Sequence, residues 1–418
     1  MAERTEASRL DRIAAATPAS RDRVVDFLRA ASIVAVVFGH WFIGIVWWQD
    51  GVLRTTSAVG VTTGLWLATW FFQVMPVFFF VGGFSNLVSL DASRRRGDPD
   101  SAFVRSRVKR LLRPSLVFFA VWTVVIVALH LLDVGAPTGP RIWPGVRLLR
   151  LFLPPGATLP FGPLWFLAVY LIVVSIAPWM VDLHRRYRWR VVAAMVLGAV
   201  LADVIGFQLG VSWVRWANVA FVLLLPHQLG FFYADGTFGR LPKRAFWGMV
   251  AVGLGGLVLL TNPPFWRLFG DVRFDWFPGI GAYPKSLLGT DVERVSNAYP
   301  PTVCFLLGGV WTLGAVLLLK PRLDRWLQRD RPWRFTIVVN ARIMTLFLWH
   351  MTAFLLALLL LWPLGFGQEQ DSTLRWWLER PLWFVAPGLI LLGLIAIFGR
   401  FEHGRSPREE LSGQLTRR

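Results

Sequence analysis

Apolar runs of about twenty residues recur along almost the whole length of this 418-residue chain, broken by short polar or Arg-rich segments. At about 1.5 Å of rise per residue, a helical run of this length crosses a lipid hydrocarbon core. Ten such windows fall at roughly 27–48, 64–88, 115–134, 161–181, 190–208, 214–233, 244–261, 299–319, 342–364 and 381–399, by the span-length rule. A soluble chain of this size carries a smaller apolar fraction than the 55% found here. Trp is abundant, with 23 residues, many near the ends of the runs. An amphipathic ring belongs there, at the membrane–water interface.

The net charge of +19 would suit a nucleic-acid binder, but the positions of the charges argue against one. With the N-terminus placed inside, the segments expected in the cytoplasm hold three quarters of the 44 Lys and Arg, and each of them is basic. That asymmetry is the usual one for membrane proteins. The expected fold is therefore an all-α integral membrane protein of about ten transmembrane helices, with N- and C-termini cytoplasmic. Residues 1–26 read as a basic tail, 27–400 as the transmembrane domain and 401–418 as a second tail. The first apolar run follows a polar, Arg-rich stretch and is long enough to remain as a span, so no cleavable signal is expected. Cys304, the single cysteine, lies inside an apolar run and reads as a structural thiol. The longest outer loop, at about 262–298, is rich in aromatic, Pro and Gly residues, and loops of that length are often functional.

Ionisable residues inside a span are costly, which makes them candidates for function. The first span reads VVDFLRAASIVAVVFGHW. Arg29 and His40 are eleven residues apart, within about 20° of three full helical turns. They share one face about 16 Å apart along the axis, with Ser32 and Val36 between them. An Arg at the cytoplasmic mouth can hold an entering anion, while a neutral imidazole deeper in the span takes a proton from a hydroxyl. The plainer reading is a snorkelling Arg and a His that bonds another helix. Arg107, Arg110 and Arg113, in VRSRVKRLLRP, form a basic ridge suited to the phosphates of coenzyme A or to lipid headgroups. Gly82, Gly83 and Ser85 allow close approach of a backbone or a ligand, as small residues in packed spans also do. His350, His227, Asp203 and His130 are further intramembrane candidates, each more simply read as a partner for a neighbouring helix. No P-loop, HExxH, GxSxG or Cys/His cluster with metal spacing occurs, and GLGG at 253–256 reads as helix packing.

Five ordered segments resemble the membrane acyltransferase-3 family of polytopic bacterial O-acyltransferases. They are Asp26-Phe-Leu-Arg29 with His40 after ten intervening residues, PVFFFVGGFSN at 76–86, RVKRLLRP at 107–114, GPLWFLAVYLIVVSIAP at 162–178 and LFLWH at 346–350. Gly82 stands where the family usually has Ser, which leaves Ser85 or backbone groups to serve in its place. The resemblance implies transfer of an acyl group from cytoplasmic acyl-CoA, with acetyl-CoA the expected donor. The acceptor is a hydroxyl of an envelope glycan, a glycolipid or a small molecule. His40, Arg29 and His350 are the implied catalytic group, and Arg107, Arg110, Arg113 and Ser85 the implied donor site. No metal is expected. Membrane lipid is the expected surroundings, and nucleic acid is not an expected partner. A lipid or small-solute transporter is the main alternative, and a glycosyltransferase using a lipid-linked sugar ranks below it.

Overall fold

The computed structural model describes residues 21–49, 52–131, 161–262, 282–289 and 295–402. Ten helical segments in it are long and apolar enough to cross a membrane, and they coincide with the ten windows expected from the sequence. Their outward faces expose large apolar side chains such as Leu116, Val124, Leu201, Val252, Leu389 and Ile397. Polar partners are turned inward, as a lipid surround requires.

Helix α1 (Arg23–Ile43) starts where the Asp22 carboxylate accepts from the Val25 amide. It ends at Ile43, five residues before the end of the sequence window, and Gly44 is extended. The chain then forms an antiparallel hairpin, β1 (Gly44–Gln49) with β2 (Val52–Ser57), in the register Gly44↔Ser57 through Gln49↔Val52. This hairpin was not expected. GIVWWQ and VLRTTS are rich in β-branched and aromatic residues and flank an Asp-Gly dipeptide, a strong hairpin signal that the apolar window absorbed.

The second span is broken. Helix α2 (Trp66–Phe72) ends before Gln73, and α3 (Met75–Arg95) restarts with Pro76 in its first turn, where a missing N–H costs nothing. Helices α4 (Asp100–Leu131), α5 (Leu164–Tyr187), α6 (Trp189–Gln208), α7 (Asn218–Ala234) and α8 (Lys243–Thr261) follow. After the described pieces of the long loop come α9 (Val303–Trp326), the shorter α10 (Asp330–Ala341), α11 (Ile343–Leu361), α12 (Leu374–Glu379) and α13 (Leu382–Phe398).

One end of the bundle carries the Arg-rich connections and is tied by ion pairs. Arg94 binds both Asp100 and Asp182, joining α3, α4 and α5. Helix α10 packs beneath α1 at this end, where the Asn340 amide donates to the Asp26 carbonyl, and Arg23 of α1 donates to the Leu327 carbonyl at the end of α9. The Glu402 carboxylate caps α11, accepting from the Met344 and Thr345 amides and the Thr345 hydroxyl.

Two large apolar clusters make most of the interior, with two smaller ones around Trp70 and Trp376. The largest joins the start of α1 to α3, α5, α7 and α9, and the second joins the rest of α1 to α4, α11 and α13. Glycines set the closest crossings. A Cβ on Gly83 would stand 1.9 Å from the His227 carbonyl oxygen, and one on Gly230 would stand 2.1 Å from that of Phe80, so α3 and α7 meet backbone to backbone. Gly253 and Gly256 seat α8 against Trp311 and Leu307 of α9, the packing role expected of GLGG.

Candidate functional site

Between the two large clusters lies a cavity of about 910 Å³. It reaches from Arg29, Arg107 and Arg110 at the basic end to Leu288, Gly289, Ser296 and Tyr299 of the far loop. Helices α1, α3, α4, α5 and α11 supply most of its wall, and Thr55, Thr56 and Ser57 of the hairpin close part of it.

The arginine end is ordered by serines of α3. Arg29 Nη2 donates to Ser85 Oγ at 2.5 Å, and its Nη1 lies 3.5 Å from Asp26 Oδ1. Arg107 donates to the Ser85 carbonyl at 3.0 Å and to the Ser89 hydroxyl. Ser85 thus sits between two guanidiniums and fixes both with donors to spare, since each Arg carries five N–H groups. Arg110 lines the same end and is exposed. Arg113 does not join them. It is exposed on the outside of α4 and away from the cavity, so the three-residue spacing does not converge as a ridge. At about 100° per residue, a step of six residues turns the side chain away from the face that a step of three still shares.

His40 lies on the cavity wall in the last turn of α1. Its Nδ1 is 2.7 Å from the Val36 carbonyl. A carbonyl only accepts, so Nδ1 carries the proton and Nε2 of the neutral ring is left as a lone-pair base. His350, fully buried, packs against it with ring centroids 5.1 Å apart at 54°. His350 Nδ1 is likewise bound to a carbonyl, that of Phe347 at 2.7 Å, and its Nε2 has no partner among the described residues. His350 stands behind His40 and is not part of the cavity lining. Val36 is on the lining, whereas Ser32 is buried away from it.

The other intramembrane candidates have structural partners. His227 bonds Asn86 at 3.1 Å beneath the α3–α7 crossing. Asp203 accepts from Asn218, from the Tyr283 hydroxyl and from the Val303 amide, tying the far loop to α6 and α9. Burial, and next the Asp203 carboxylate, push the Tyr283 phenol upward in pKa, which keeps it protonated as the donor. Cys304 is fully buried. The side chain of His130, the 132–160 segment and most of the 263–294 loop lie outside the described residues. Among the described residues no group of three or more His, Cys, Asp or Glu is placed to hold a metal ion.

Three parts of the wall were not anticipated: Tyr170 and Trp165 of α5, Tyr299 of the far loop, and the hairpin hydroxyls. Tyr170 had a visible signal, as one of only five tyrosines and the one placed mid-span within an otherwise apolar run.

The fold and site define a polytopic membrane protein with an internal cavity, cationic at one end and lined by a histidine further along its wall. The model of an acyltransferase domain matches residues 22–403, and the chain belongs to this acyltransferase-3 family. It is a membrane-bound acyltransferase, and the transporter and glycosyltransferase alternatives are set aside. No curated protein and no solved structure matches the chain.

Proposed function

We propose that this protein moves an acyl group, acetyl being the expected one, from cytoplasmic acyl-CoA to a hydroxyl of a glycan, a glycolipid or a small molecule of the cell envelope. The observation that carries the proposal is the single cavity shared by Arg29, Arg107, Arg110 and His40. In this reading the basic end faces the cytoplasm. Arg107 and Arg110 hold the donor's phosphates, as guanidiniums suit. Arg29, steadied by Ser85, offsets charge where the donor's arm enters the passage. The acceptor comes from the far mouth, beside Ser296 and Tyr299.

His40 Nε2 removes the acceptor's hydroxyl proton as the oxygen attacks the thioester carbonyl carbon. The carbon–sulfur bond then breaks, and the proton on His40 passes to the leaving thiolate. The products are the ester and free coenzyme A. His350 holds the His40 ring in orientation. The test is transfer of label from acetyl-CoA in membranes holding wild-type protein or His40→Ala, supplied with envelope extract. Alkali-labile label formed by wild type alone supports the reading. Full turnover by His40→Ala would overturn the mechanism, and no affinity of the purified protein for coenzyme A would overturn the donor assignment.

A further inference from the structure

On α3, positions 82, 85 and 89 fall on one face, at helical spacings of three and four. Ser85 and Ser89 bind Arg29 and Arg107. One turn further from the basic end the same face carries Gly82, where the related pattern has a serine hydroxyl. The space is not empty. A Cβ on Gly82 would stand 3.1 Å from Tyr170 Cε2 and 3.2 Å from the Tyr170 hydroxyl oxygen. A side chain at 82 would therefore press on the phenol, which would have to give by a few tenths of an ångström.

Tyr170 lines the cavity, and its hydroxyl has no hydrogen-bond partner among the described residues. The ring is held firmly. It stacks on Phe166 with centroids 6.0 Å apart at 19°, and Phe78 meets it edge-on at 5.4 Å. Tyr170 shares the cavity wall with Arg29 and Arg107, and Gly82, which it faces, lies one turn from the Ser85 that binds both, so the hydroxyl stands close to the arginine end. A fixed, unpaired phenol on the wall of a largely apolar passage is a ready hydrogen-bond donor. A donor molecule lying in this passage would place its carbonyl-bearing arm beside it.

We infer that Tyr170 is a donor-binding residue, whose hydroxyl donates a hydrogen bond to a carbonyl oxygen in the arm of the acyl donor, in place of the hydroxyl absent at Gly82. This rests on the acyl-CoA reading above. One hydrogen bond of this kind corresponds to a change of about five- to tenfold in binding.

The experiment measures coenzyme A affinity and acyl-CoA kinetics for wild type, Tyr170→Phe, Gly82→Ser and the double variant, each checked for an unchanged melting temperature. Tyr170→Phe is expected to bind coenzyme A about five- to tenfold more weakly, with KM for acyl-CoA raised in step and kcat within about twofold. Gly82→Ser alone crowds the phenol and is expected to weaken binding too. In the double variant the new serine hydroxyl points into the space that the phenol oxygen leaves, and most of the lost affinity returns. A merely structural tyrosine would show no such rescue. Wild-type affinity in Tyr170→Phe, or a double variant no tighter than Tyr170→Phe, overturns the inference while the acyl-CoA reading stands. A wild-type protein with no affinity for coenzyme A overturns both.

Discussion

Substituting Gly83 by Ala tests whether the arginine end depends on the α3–α7 crossing. The added Cβ would stand 1.9 Å from the His227 carbonyl oxygen, whereas ordinary contact begins at 3.4 Å, so the helices must part by about 1.5 Å. The obstructing atom is backbone, not the far end of a flexible side chain, and cannot swing aside. Overpacking of a tight interior costs about 1–3 kcal/mol, and a backbone clash of this depth belongs at or above the top of that range. In a chain of this size the loss reads as a melting temperature lower by about 3–4 °C. The same shift moves Ser85, six ångströms or less along α3 by the rise of two residues and the width of a turn (about 3 Å axially), and so disturbs its 2.5 Å bond to Arg29. Misplacement of positioning groups by about 1 Å can cost about a hundredfold in rate. The assay pairs thermal melting of the purified protein with acyl transfer. Gly255→Ala is the control, since no atom lies within 4 Å of its added Cβ, and it is expected to match wild type. A Gly83→Ala protein with wild-type melting and turnover would refute the backbone-to-backbone crossing and the dependence of the arginines upon it.

Removing the base in His40→Ala is expected to lower kcat by about 10²–10⁴ with little change in donor affinity, measured by label transfer and coenzyme A binding in parallel. Arg107→Ala is expected to raise KM for acyl-CoA about tenfold or more, because the cavity loses a charge-assisted donor, whereas Arg113→Ala, lying off the cavity, should stay within about twofold of wild type; equal losses in the two would show that the ridge acts as one unit. Glu402→Ala removes the cap that satisfies two amides and a hydroxyl at the start of α11. A loss of about 1–2 kcal/mol is expected, read as a lower melting temperature with coenzyme A affinity retained.

The spans were legible because lipid leaves one strong signal, apolar runs of fixed length, and each run found a helix. The Arg29–His40 pair was legible for a related reason. Both residues lie on one helix, so spacing alone places them on one face, and both line the cavity. Residues on different helices were harder to place. Nothing in the spacing of Arg107, Arg110 and Arg113 says which one turns outward, because that depends on how α4 is rotated against α3 and α5. The contact of His40 with His350 spans 310 positions in the chain and is set by the packing of α1 against α11, which no local pattern encodes. The sequence could mark Tyr170 as unusual but not pair it with Gly82, because that pairing follows from the approach of α5 to α3.

The hairpin shows how one signal can conceal another. An apolar window cannot distinguish the end of α1 from β1, since both are apolar and both continue the same path. Gly44 lies against Phe354 of α11, and Val46 packs in the same cluster as Phe354 and Leu358, so β1 runs alongside a spanning helix. Extended backbone at that depth is tolerated only when its polar groups are paired or face a cavity. Both conditions hold here: the ladder with β2 pairs the strands, and Thr55, Thr56 and Ser57 lie on the cavity wall. A helix continued through Gly44–Gln49 would have turned all its backbone groups into its own axis. The hairpin instead brings three hydroxyl side chains to the passage that His40 also lines. The departure from a plain helical span therefore falls on the cavity wall, where a helix would have ended its polar contribution at His40 and the hairpin adds Thr55, Thr56 and Ser57 to the same lining.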